Sequence, residues 1–199
     1  MSYRESSIRG VVASGIAGSV PVLAMASVMW VSEAVDLLPG TYFDRLGIQP
    51  RSSDGLLGIA LAPFLHAGFA HLIANTGAFL ILGVLLAWTT GRFLPVTLGI
   101  VLFGGLGTWL IGQPYTVHIG ASGVVYGYAA FLVAWGVFTR RVVSILVAAA
   151  VLVMYGGIVW GVLPGQAGVS WQGHLCGAIA GIVMAWWLAE RPQRRQVAR

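Results

Sequence analysis

Between Asp54 and Glu190 the chain contains no aspartate or glutamate, and this stretch, with the segment before it, divides into six long apolar runs. The runs lie near residues 11–32, 66–88, 93–111, 120–138, 142–160 and 173–189. A helix needs about 20 apolar residues to cross a hydrocarbon core about 30 Å thick. In lipid the backbone must satisfy its own hydrogen bonds, and no alternating barrel-strand pattern is present, so helices are the remaining solution. With 58% hydrophobic residues, 9% charged residues and a mean hydropathy of +0.86, the chain reads as an all-α polytopic membrane protein. The expected organisation is a single membrane domain over 1–199, with short cytoplasmic tails at about 1–10 and 190–199.

Arg4 and Arg9 before an apolar stretch, with Ala24-Met25-Ala26 behind it, imitate a cleavable leader. The apolar run continues through Val28, Met29, Trp30 and Val31, so an uncleaved first helix is expected. Orientation follows from the basic residues, all of them arginine. With six spans and an inside amino terminus, the inner side collects Arg4, Arg9, Arg92, Arg140, Arg141, Arg191, Arg194, Arg195 and Arg199. The outer side receives only Arg45 and Arg51. This places both termini in the cytoplasm and reads the net charge of +5 as a topology signal rather than a nucleic-acid surface, since the arginines form no long run. The polar connection at about 33–57 falls outside, and its Tyr42, Phe43, Leu46 and Ile48 suggest partial immersion in the interface. Cys176, the single cysteine, excludes an internal disulfide and reads as a packing residue beside His174.

Ionisable and polar groups inside spans are costly and mark functional candidates. Without carboxylates in that stretch, a membrane aspartate pair, a His-Glu-x-x-His zinc site and a carboxylate proton relay are excluded; no metal or organic cofactor is implied. Four histidines remain, His66, His71, His118 and His174, with the hydroxyls and Asn75. The second, fourth and sixth spans enter from the outer side, so His71, Asn75, Ser122 and His174 fall roughly 3 to 12 Å below that surface at about 1.5 Å per residue. A serine and a histidine at one depth are the minimum parts of a nucleophilic hydrolase. His71 and Asn75, spaced i, i+4, share a helix face and could aim two donors at an oxyanion beside the Ser122 backbone N–H; the same spacing also suits interhelical hydrogen bonding. Gly123 and Gly127, like Gly177 and Gly181, form small-xxx-small faces that permit close approach of the fourth and sixth spans. Tyr126 lies i+4 from Ser122 and faces the same way. His66 falls off the His71 face and is assigned to supporting the first external loop; His118 is assigned no chemistry and reads as a surface or interfacial residue.

Three segments carry a resemblance: Leu65-His66-Ala67-Gly68-Phe69-Ala70-His71-Leu72-Ile73-Ala74-Asn75, Gly120-Ala121-Ser122-Gly123-Val124-Val125-Tyr126-Gly127 and Ser170-Trp171-Gln172-Gly173-His174-Leu175-Cys176-Gly177. In this order, on alternate spans, they resemble the rhomboid intramembrane serine proteases, from about Leu46 to Trp186. The resemblance implies a six-transmembrane-helix rhomboid-like bundle with Ser122 as nucleophile and His174 as general base and then acid. It also implies oxyanion contacts from His71, Asn75 and the Ser122 backbone, with Tyr126 packed on the His174 ring and Gly120, Gly123 and Gly177 in support. The implied partners are transmembrane protein substrates and the lipid bilayer, with no nucleic acid. The chain departs from the family where many members carry Trp-Arg before the second span; here stand Leu57-Gly58, which opens the question of what anchors the first loop. An inactive rhomboid-like binding or escort protein is the alternative reading, and a small channel or transporter, which calls for paired repeats around a midplane site, a third. Substrate identity and oligomeric state are not legible.

Overall fold

The computed structural model describes residues 3–190. Its long helices follow the apolar runs closely. The first, α1 (Tyr3–Asp36), has its membrane part at Gly15–Asp36; α3 (Phe69–Thr90) forms the second span. The third, Phe93–Ile111, is α4 (Phe93–Gly99) and α5 (Gly105–Ile111) joined through a widened π turn at Ile100–Gly104. Then come α6 (Ser122–Thr139), α7 (Val142–Tyr155), prolonged by 3₁₀ turns at Gly156–Val162, and α8 (Trp171–Glu190). The protein is therefore a polytopic helical membrane protein with six apolar spans, and among the described residues its only β pairing is the isolated antiparallel bridge of Ile48 with His118.

One boundary and one additional element differ from the sequence reading for local reasons. The second span starts at Phe69 rather than 66 because Gly68 sits at φ +94° and breaks the helix there. The apolar stretch before it, Gly55–Phe64, forms a short helix of its own, α2 (Gly55–Leu61) with a 3₁₀ turn at Ala62–Phe64, too short to cross a bilayer. Of the tails expected at about 1–10 and 190–199, the first is helical from Tyr3 as the start of α1, while the second, with Arg191, Arg194, Arg195 and Arg199, falls outside the described residues beyond Glu190.

The fourth span is 56% buried and the fifth only 17%, so α6 is the axis of the bundle and α7 a peripheral helix. Between helices in lipid there is no hydrophobic driving force, and close packing and hydrogen bonds must hold the contact. The most extensive contact is α6 on α8, followed by α6 on α7 and α1 on α3. Phe79, Leu82, Leu86, Phe131 and Leu132 fill the core. The buried Tyr128 hydroxyl satisfies its polar atom on Thr97 Oγ1, 2.7 Å away, avoiding the cost of an unpaired group in an apolar medium.

Candidate functional site

Ser122 is the first residue of α6 and His174 lies in the first turn of α8, so the closest helix pair of the bundle carries them at one end. A Cβ at Gly177 would overlap the Gly123 carbonyl oxygen, and one at Gly181 the Gly127 carbonyl oxygen. Backbone therefore meets backbone along the seam, and this approach brings Ser122 Oγ to 2.9 Å from His174 Nε2. The other ring nitrogen, Nδ1, lies 2.9 Å from the Gly161 carbonyl. A carbonyl can only accept, so Nδ1 carries the proton, Nε2 presents its lone pair and the Ser122 hydroxyl donates to it. Tyr126 stacks on the imidazole at 4.0 Å between centroids and 9° between planes, and its own hydroxyl donates to the Ile158 carbonyl at 2.7 Å. The 3₁₀ segment Gly156–Val162 thus orients both rings.

His71 and Asn75 converge over Gly120. A Cβ there would come within 2.8 Å of His71 Nε2 and 3.6 Å of Asn75 Nδ2, and Gly120 has φ +107°, so both space and backbone demand glycine. The Ala67 N–H donates to His71 Nδ1 at 3.4 Å, which leaves the Nε2 proton directed toward Gly120. Asn75 Nδ2 donates to the His71 carbonyl at 3.1 Å. As the first residue of its helix, Ser122 carries one of the amides without an intrahelical acceptor. Ser122, His174, His71 and Asn75 all line one cleft of about 760 Å³, to which Ala67, Ala74, Gln113, residues 116–119 and residues 164–172 also contribute.

The chain leading into Ser122 is fastened at successive residues. His118 exchanges two backbone hydrogen bonds of 2.9 Å with Ile48, the Gly120 N–H donates to the Ala62 carbonyl at 2.9 Å, and the Ala121 N–H donates to His66 Nε2 at 3.3 Å. His66, 1% exposed, therefore supports this entry segment rather than the first loop; its ring also meets His71 edge-on at 5.1 Å. Burial, reinforced by His71, pushes the His66 imidazole down to about 4. His118 is a correction of a different kind: it is buried at 8% exposure, not a surface residue. Its ring bonds Thr116 and Ser170. Cys176 is buried on the α8 face that meets α5 at Gly107.

The first loop has its own anchors in place of the Trp-Arg pair. The Arg51 N–H donates to the Trp109 carbonyl at 3.1 Å, its guanidinium to the Leu110 carbonyl at 2.7 Å, and the Trp109 indole N–H to the Ser52 carbonyl at 2.8 Å. Neither role is legible in the sequence, because an arginine or indole donating to backbone carbonyls some 57 or more positions away has no local signature. The Gly161 carbonyl leaves no mark in the sequence either, because it is a backbone group. Among the described residues, no group of three or more His, Cys, Asp and Glu side chains could hold a metal ion.

Fold and site together define a class: a six-span helical membrane protein with a serine and a histidine paired at one end of its tightest helix seam. The chain belongs to the rhomboid family, the family model of the Rhomboid domain matching residues 54–191. An uncharacterized protein of Mycobacterium tuberculosis is 44% identical over 189 residues, covering 90% of this chain and 78% of the relative. An uncharacterized protein of Mycobacterium leprae is also 44% identical, over 187 residues, 89% of this chain and 74% of the relative. The chloroplastic Rhomboid-like protein 11 of Arabidopsis thaliana is 31% identical over 148 residues, 66% of this chain and 52% of the relative.

Proposed function

We propose that the protein is an intramembrane serine endopeptidase that hydrolyses peptide bonds in or near transmembrane segments of other membrane proteins. The observation that carries this reading is the Ser122 Oγ to His174 Nε2 contact of 2.9 Å, with Nδ1 committed to the Gly161 carbonyl. In that arrangement Ser122 attacks the scissile carbonyl carbon as His174 Nε2 takes its proton. The tetrahedral oxyanion is met by the Ser122 N–H, His71 Nε2–H and Asn75 Nδ2–H, donors worth about 10² to 10³ each in rate when aimed at developing charge. His174 then returns the proton to the leaving amine. Water, activated by the same nitrogen, hydrolyses the acyl-enzyme and frees Ser122. Tyr126 and the Gly161 carbonyl take over the orienting task that a carboxylate performs in a triad. The membrane is read as the plasma membrane, and the arginine distribution supports an orientation with both termini cytoplasmic and the cleft opening to the outer face.

Covalent labelling of the purified protein in detergent by a fluorophosphonate probe tests this. Wild type is expected to label, and Ser122→Ala and His174→Ala are expected to lose the signal while remaining folded. A folded wild type that does not label would favour the binding or escort alternative.

A further inference from the structure

We propose that His118 and Ser170 form a positioning pair that sets the register of the first turn of α8 and thereby the placement of His174 on Ser122. The inference rests on the reading of His174 as the group that acts on Ser122.

Ser170 immediately precedes α8 and caps it twice. Its hydroxyl accepts the Gly173 N–H at 3.2 Å, and its carbonyl accepts the N–H of His174 itself at 3.0 Å. The hydroxyl also lies 2.6 Å from His118 Nδ1, while His118 Nε2 lies 3.0 Å from Thr116 Oγ1. The donors in this chain follow from its terminal acceptor when His118 is neutral. Thr116 Oγ1 lies 2.7 Å from the Gln113 carbonyl, which can only accept, so the threonine's single proton is used there. Thr116 must then accept from His118 Nε2–H. A neutral His118 has a bare Nδ1, and the Ser170 hydroxyl donates to it while receiving the Gly173 N–H on its oxygen. Every proton in the sequence Gly173, Ser170, His118, Thr116, Gln113 points the same way along the chain. Burial favours this neutral form by holding the His118 imidazole below its ordinary value.

The backbone of His118 is meanwhile fixed by its two hydrogen bonds to Ile48. One residue thus ties the first loop, the segment entering Ser122 and the start of the helix that carries His174. Ser170 and His118, like Ser122, line both the main cleft and a small cavity of about 50 Å³. Ser170 is not read as a second nucleophile, because its oxygen is already engaged as a helix cap by the Gly173 N–H.

An ordinary N-cap needs only an acceptor, and aspartate serves as well as serine; the pair needs a hydroxyl that accepts and donates at once. The full chain is therefore purified with Ser170→Ala, Ser170→Thr, Ser170→Asp, His118→Phe and His118→Asn. Fluorophosphonate labelling rate, kcat and KM on a transmembrane reporter, and imidazole ¹⁵N spectra are compared. Ser170→Ala, Ser170→Asp and His118→Phe are expected to lower the labelling rate and kcat by about tenfold or more, as misplacement of a reacting group does, with KM little changed and the His174 resonances displaced. Ser170→Thr, which keeps the hydroxyl, and His118→Asn, which keeps an acceptor near the Nδ1 position, are expected to retain most of the activity. Full activity in Ser170→Asp, or in both Ser170→Ala and His118→Phe, would overturn the pair. An unlabelled, folded wild type would instead count against the protease reading, and the inference would then stand or fall on whether His118→Phe displaces the His174 resonances.

Discussion

At the scale of single residues, the geometry of the candidate site leaves the ring nitrogens of His174 and His71 one permissible role each. Gly161 offers His174 only a carbonyl, so Nε2 is bare toward Ser122; the Ala67 N–H takes His71 Nδ1, so Nε2 keeps its proton toward Gly120. Ser122, His174, His71 and Asn75 were legible as candidates because costly polar groups in apolar spans stand out. The Gly161 carbonyl and the His118 pairings were not, since one is backbone and the other joins residues 48, 116 and 170 only after folding. Tyr126→Phe keeps the ring stacked at 4.0 Å but loses the hydrogen bond to Ile158. It is expected to retain more labelling activity than Tyr126→Ala, which frees the imidazole and should cost roughly 10- to 100-fold in rate, within the range that displaced reacting groups show. His66 supplies a stability prediction. Its folded imidazole titrates at about 4, whereas in the unfolded chain it does so near 6.5. Between these values the unfolded chain binds the extra proton, so the contribution is complete above about 6.5 and is lost as pH falls toward 4, to a total of about 3 kcal/mol. Thermal midpoints in detergent from pH 7 to pH 4 should fall less steeply for His66→Gln than for wild type.

At the scale of elements, the seam of α6 on α8 decides whether the site exists. Its helices meet backbone to backbone at Gly177 on Gly123 and at Gly181 on Gly127, a spacing visible in the sequence as two i, i+4 glycine pairs. What the sequence did not show is the π turn at Ile100–Gly104. There a Cβ at Gly104 would lie 3.2 Å from Gly177 Cα, so the third span presses on α8 from the other side and closes the seam. A helix drawn as a uniform apolar run carries no mark of such a local widening, because its residues suit a regular turn as well. Gly177→Val is expected to push α8 away from α6, lowering stability by about 1–3 kcal/mol in the manner of overpacked sites. It should also abolish fluorophosphonate labelling by separating His174 from Ser122. Gly77 in α3 meets nothing within 4 Å of an added Cβ. Gly77→Ala should therefore leave labelling intact and raise the thermal midpoint slightly, since alanine in a helix interior is favoured over glycine by roughly 0.5–1 kcal/mol. Thermal unfolding and labelling measured side by side distinguish loss of the seam from a general intolerance of substituted glycines.

At the scale of the whole molecule, one end differs chemically from the other. The cleft, the first loop, α2 and the start of α8 gather at one end, and the Arg92 and Arg140 turns lie at the opposite end of α3 and α6. Six spans were legible because a run of about 20 apolar residues has few other fates, and the helix ends fall within a few residues of the apolar runs. The proposed sidedness rests on charge. Arginine stays preferentially on the cytoplasmic side of short loops during insertion, and inverting the bundle would carry the Arg92 and Arg140 turns outward and leave the cleft facing the cytoplasm. Cysteines introduced at Ser53, exposed in the first loop, and at Glu190, exposed at the end of α8, read the two sides directly. On intact cells a membrane-impermeant maleimide is expected to label Ser53→Cys, and Glu190→Cys only after permeabilisation, while the buried Cys176 leaves wild type unlabelled in both. The reverse pattern would turn the cleft inward. Proteolysis would then have to act on the cytoplasmic ends of its substrates' spans, with Ser122 and His174 unchanged in their geometry and reached from the opposite compartment.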